Sequence, residues 1–161
     1  VVQILNPSRK QKEKMTTDYT LLAIKQLIDN SSAVDFPNIN GINVFISQED
    51  DSRSYPCITV MDTGSEEHET LRGVFDPLSI DVTLQTIPND TAADGTTQEL
   101  HRDMSNELYN LLGDSNAIIA LNDYPGLKVF DIRGIEQGND REDGRNAMTL
   151  SLEITCCQTT I

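Results

Sequence analysis

Tryptophan is absent from the 161 residues, histidine occurs twice and cysteine three times, and Lys and Arg together number 12 against 26 Asp and Glu. Each shortage closes off a class of function. With a formal charge of −14, the chain lacks the basic face with which nucleic-acid binders displace phosphate counterions. An acidic wall past which DNA slides without sticking is compatible with that balance. Cys57 and the adjacent Cys156 and Cys157 form an odd count without framework spacing, which points to free thiols or a reducing compartment. Zinc is disfavoured as well: neighbouring cysteines on a strand face opposite ways, and neither His68 nor His101 lies at ligand spacing from them. No apolar run approaches the roughly 18 residues a membrane span needs. The basic stretch 9–14 is followed by polar Thr16, Thr17 and Asp18, not by the apolar core of a secretory signal. Gly-rich phosphate loops are missing too, so nucleotide chemistry has no support.

What is present suffices for one domain. Leu, Ile, Val and Phe make up about a quarter of the chain, enough for a thin core and above the level at which disorder becomes the default. Residues 1–14 stand apart: Arg9, Lys10, Lys12 and Lys14 against Glu13 give +3, leaving −17 for residues 15–161. They read as a basic N-terminal arm or extension, placed before the globular part that opens at Met15, and able to dock on an acidic neighbour.

Within residues 15–161, apolar Leu21, Ile24, Leu27 and Ile28 recur at helical spacing, predicting a helix over 18–30 capped by Thr16 or Thr17. Short β segments follow at 42–46 and 57–61, separated by a charged loop over 47–53, with a second loop over 62–70. Residues 78–85 alternate strictly between apolar and polar, as a strand with one buried and one solvated face must. Residues 148–156 alternate in the same way and are the natural partner in one sheet. Between them, Leu100, Met104, Leu108, Leu111 and Leu112 form the stripe of a second helix over 97–112 that Gly113 stops. One more strand is expected over 127–135, and Gly138, Asp140, Asp143 and Gly144 mark residues 138–145 as a loop. The expected fold is α+β: an antiparallel or mixed sheet with two main helices packed on one face.

The sharpest catalytic pattern is the apolar run into Asp62-Thr63-Gly64, which looks like a retroviral-type aspartic protease. That chemistry needs two carboxylates sharing a proton, the second coming from a homodimer mate. The downstream apolar-Gly-Arg turn of such enzymes has no match, since Ile132-Arg133-Gly134 is in the wrong order, and Glu66, Glu67 and Glu69 crowd the same loop. Asp and Gly are also favoured in ordinary strand-end turns. His68 and His101 read as surface residues. The cluster Asp140, Glu142 and Asp143 misses the glycine and glutamate register of a calcium loop. No cofactor is expected.

The order of elements does resemble a family. A leading helix, then Tyr55-Pro56-Cys57-Ile58-Thr59-Val60, then Leu78-Ser79-Ile80-Asp81-Val82-Thr83-Leu84, an amphipathic helix ending Leu111-Leu112, and a last strand after an Arg/Asp/Gly-rich loop are similar to the tail terminator proteins of long-tailed bacteriophages. The similarity covers residues 15–161 and leaves residues 1–14 without a counterpart. It implies a non-enzymatic virion protein of the tail or neck, assembled in the host cytoplasm. Such a protein forms a homo-oligomeric ring, commonly a hexamer, that caps the tail tube, ends its polymerisation and joins the head connector. DNA would pass through the lumen without specific binding. Head-completion proteins of the same neck region share this pattern. Four scarce cations, Arg72, Arg133, Arg141 and Arg145, and the loop carboxylates Asp50 and Asp51, are the residues expected at subunit or partner contacts.

Overall fold

The computed structural model describes residues 9–46, 54–63, 77–142 and 144–158. Three helices, α1 (Arg9–Asp29), α2 (Gln98–Gly113) and α3 (Ser115–Asn122), lie against strands β1 (Asn43–Ile46), β2 (Cys57–Asp62), β3 (Pro77–Thr86), β4 (Leu127–Glu142) and β5 (Arg145–Gln158). The five strands form one sheet in the order β1-β2-β3-β5-β4. Only β1 and β2 run parallel; every other pair is antiparallel. This is the expected α+β class, with a mixed sheet and its helices on one face.

The alternation in β3 and β5 decides which face is covered. Leu78, Ile80, Val82 and Leu84 are buried, while Ser79, Asp81, Thr83 and Gln85 between them are half-exposed. Opposite them in register, Ile154, Leu152, Leu150 and Met148 point the same way. These side chains join Leu21, Ile24 and Ile28 of α1 and Met104, Leu108, Leu111 and Leu112 of α2 in one continuous core. The other side of the sheet carries no helix among the described residues.

Three departures from the sequence reading have local causes. The first helix begins at Arg9 rather than Asp18; residues 9–17 contain good helix formers but no apolar stripe, so periodicity could not reveal them. A third helix follows α2 at once. Gly113 does end α2, but Asp114 then caps α3, its Oδ1 accepting from the Asn116 backbone N–H at 3.2 Å. That bond holds the Asp114 carboxyl below its ordinary pKa. The expected loop over 138–145 is instead the end of a long hairpin, in which β4 stays paired with β5 as far as Glu142 opposite Arg145. Gly144, at φ +70°, supplies the left-handed backbone that so tight a turn demands.

Strand β4 keeps its apolar residues inward only by breaking register. Val129 pairs with Cys156 and Asp131 with Thr155, so Phe130 is an extra residue in a β-bulge. Without that bulge, Asp131 would take the inward slot opposite Ile154 and Ile132 would turn outward. A second shift, between Arg133 and Glu136, absorbs Gly134 and Ile135 against Leu152 alone. The hydroxyl of Thr20 on α1 lies 3.4 Å from the Cys156 Sγ, both buried, which gives the one thiol in this layer a polar partner. Burial pushes the Cys156 pKa up. All three cysteines are free.

Candidate functional site

Because the helices cover one face, the opposite face and the free margin of β4 are the surfaces on which a partner can act. The helix-free face is built from alternate residues of four strands, and at β2 its Cys57 and Thr59 are buried. Thr59 of β2, Thr83 of β3 and Thr149 of β5 stand side by side in register, with the Thr83 and Thr149 hydroxyls 3.1 Å apart. Register also places Asp81, Glu153, Asp131, Glu136 and Asp140 on this side, against Lys128, Arg133 and Arg145. The face is therefore polar and net acidic, so it favours partners read by hydrogen bonds or repels polyanions outright. At its margin β4 is an edge strand 16 residues long. Charged side chains and the two bulges protect such an edge from indiscriminate strand pairing.

Three of the four expected interface cations cluster on the β4–β5 margin. Arg133 donates through Nε to the Asp131 carboxylate and faces Glu153 across the ladder; these anions raise its pKa. Arg141 donates through Nη2 to both carboxylate oxygens of Asp90, at 3.1 and 3.2 Å. Arg145 places its guanidinium over the Tyr55 ring, 4.4 Å from the centroid, a cation–π contact. All three find partners in their own chain. The Arg133 and Arg141 pairs are largely exposed, so solvent screens the attraction. Arg72, Asp50 and Asp51 lie outside the described residues, as do His68, Glu66, Glu67 and Glu69 and the loops over 47–53 and 64–70.

Asp62 ends β2 on the side shared by Ile58 and Val60, opposite Ile80. Thr63 is tied back to the sheet, since its backbone N–H and its hydroxyl both donate to the Ser79 carbonyl at 3.1 Å. Gly64 lies outside the described residues. Among those residues no cluster of three or more His, Cys, Asp or Glu could hold a metal ion, and no helix is long and apolar enough to cross a membrane.

Two concave regions were not visible in the sequence. One, of about 450 Å³, separates α2 from the inward side of the hairpin end and is lined by Gln98, His101, Arg102, Gln137, Asn139 and Arg141 among others. His101 belongs to it, its Nδ1 2.8 Å from the buried Thr86 hydroxyl, and burial lowers its pKa. The second, of about 320 Å³, runs between α1 and α3 and is lined by Leu27, Ser31, Phe36, Leu111, Ala120 and Tyr124 among others. The sequence signal for the first was the row of polar residues at 137, 139 and 141 facing inward at strand spacing, two of which fall in the loop expected over 138–145. No protein-family model matches the chain, and no curated protein matches it.

Proposed function

We propose that the chain is a structural virion subunit, a tail terminator or neck-ring protein that assembles into a closed homo-oligomeric ring. In this reading the ring caps the tail tube, stops further subunits from adding and presents its other side to the head connector. The mechanism is steric and associative, with no covalent step. A head-to-tail contact repeated around an axis closes into a ring when the rotation closes.

The observation that carries the reading is the one-sided sheet. Among the described residues its helix-free face carries five carboxylates against three cations on β3, β5 and β4, with a long, charge-guarded edge beside it. Repeated around a ring, such a face gives a lumen wall of the same sign as DNA, which lets the genome pass without adhering. Edge and bulges then supply a directional contact for the next copy.

Light scattering on the purified protein, followed by negative-stain imaging of the main peak, tests this. The expected result is a six-fold ring with a central hole. A strict dimer refutes it and makes Asp62 the residue to examine, by peptide cleavage with wild type and Asp62→Asn. Addition of the ring to polymerising tube protein separates a terminator, which halts growth, from a head-completion protein, which does not.

A further inference from the structure

The α1–α3 groove contains an unmet chemical demand. Ser31 follows α1, is only 6% exposed, and its hydroxyl is the one buried side-chain oxygen among the described residues without a hydrogen-bond partner. It lines the groove together with Leu27, Phe36, Leu111, Ala120 and Tyr124. Two large apolar side chains on the same pair of helices, Leu22 at 39% and Ile119 at 64% exposure, remain in solvent. Around the groove stand the exposed carboxylates of Asp123, which lines it, and of Asp35, beside Phe36 in the chain. An occupant that fits has aliphatic side chains, a backbone group for the Ser31 hydroxyl, and positive charge next to them.

Such a segment exists in this chain. Val1, Val2, Ile4 and Leu5 are aliphatic, and Arg9, Lys10, Lys12 and Lys14, a third of all its cations, follow directly. We propose that Ile4 and Leu5 of one copy dock in the α1–α3 groove of a second copy. Length decides that the occupant comes from another molecule. Helix α1 starts at Arg9 and reaches the groove at Ala23, which at 1.5 Å per residue is about 21 Å along its axis. Leu5 and Ile4 precede Arg9 by four and five residues, which span at most about 14 and 18 Å when fully extended. Neither can lie in its own groove. In a second copy they can, with the basic turn that follows set against the acidic rim.

This contact deepens the ring reading by naming one joint in it, but it does not require that the ring close. The test uses the full chain carrying Cys157→Ser, to remove the half-buried native thiol, together with Leu5→Cys and Ala120→Cys under mild oxidation. A disulfide ladder beginning at about twice the 17.9 kDa chain mass is the expected result. An intrachain disulfide, or free thiols throughout, overturns the proposal. As an independent readout, Ile4→Asp with Leu5→Asp in the full chain is expected to lower the solution mass by at least half with unchanged circular dichroism; an unchanged mass overturns it. Imaging separates the two ideas. A ladder without a ring leaves the groove contact standing and removes the ring, and a ring without a ladder does the reverse.

Discussion

Gly95 offers the most direct quantitative check on the loop that joins β3 to α2. A Cβ there would lie 2.5 Å from the Pro88 carbonyl oxygen and 2.7 Å from that of Ile87, where ordinary contact begins near 3.4 Å. Neither oxygen can move without loss, because Ile87 accepts from the Thr96 N–H at 2.7 Å and Pro88 from the Thr91 and Ala92 N–H groups at 3.1 and 3.2 Å. Two effects therefore compete in Gly95→Ala. Reduced freedom of the unfolded chain favours alanine by about 0.4–1 kcal/mol. Overpacking against fixed atoms costs about 1–3 kcal/mol, and each of the three hydrogen bonds that stretches removes up to about 1 kcal/mol more. Destabilisation wins, with an expected net loss of about 1–3 kcal/mol, read as a lower urea midpoint at unchanged slope. The matched control is Gly138→Ala, where no atom lies within 4 Å and a strand position gains roughly 0.5 kcal/mol from alanine. If Gly95→Ala proves neutral, or shifts in the same direction as Gly138→Ala, close approach of the two carbonyls is not what requires glycine.

Deleting Phe130 is expected to leave a folded protein, because Val129, Asp131 and Ile132 then pair regularly with Cys156, Thr155 and Ile154; deleting Thr149 from the centre of β5 inverts every side chain beyond it and is expected to abolish the cooperative thermal transition. Thr97 caps α2 by accepting from the Leu100 N–H at 3.1 Å, so Thr97→Ala is expected to cost about 1 kcal/mol in a denaturant titration. Burial lowers His101 below its ordinary pKa of 6.5, so the unfolded chain binds its proton more readily than the folded one. The stability this provides is present above that ordinary value and is lost as pH falls through it towards the folded one. The stability gap between wild type and His101→Gln is therefore expected to narrow on acidification, and a gap that widens would contradict the assigned burial.

The parts of the fold that sequence made legible are those where packing writes a period. Leu78 to Leu84 and Met148 to Ile154 alternate because one face is core, and their pairing followed from that alone. The stripe from Leu100 to Leu112 did the same for α2. Where side chains are polar on both sides, as in residues 137–142, composition resembled a loop and only the register with β5 shows a strand. Helix α3 is short, and the glycine before it was a true stop that concealed an immediate restart. The site divided along similar lines. Arg141 stood out as a scarce cation, but its partner Asp90 lies 51 residues away, and no local pattern encodes so distant a contact. Ser31 lies just past the helix expected over 18–30, and its isolation as a buried hydroxyl depends on what α3 and Phe36 place around it.

The strand order also governs when the molecule can become whole. Strand β5 separates β3 from β4, and it is the last strand of the described chain to be synthesised. The β4–β5 hairpin closes over two residues, a loop that forms in microseconds, whereas the pairing of β3 with β5 joins Leu84 to Met148 and must close the chain between them first. Non-local closures of this kind put folding in the slower range for a domain of this size. Until β5 emerges from the ribosome, at about 5–20 residues per second, the inner faces of β2 and β3 have helices to lean on but no sheet to complete. A nascent chain thus cannot present a finished helix-free face or a paired β4 edge until the sheet is closed.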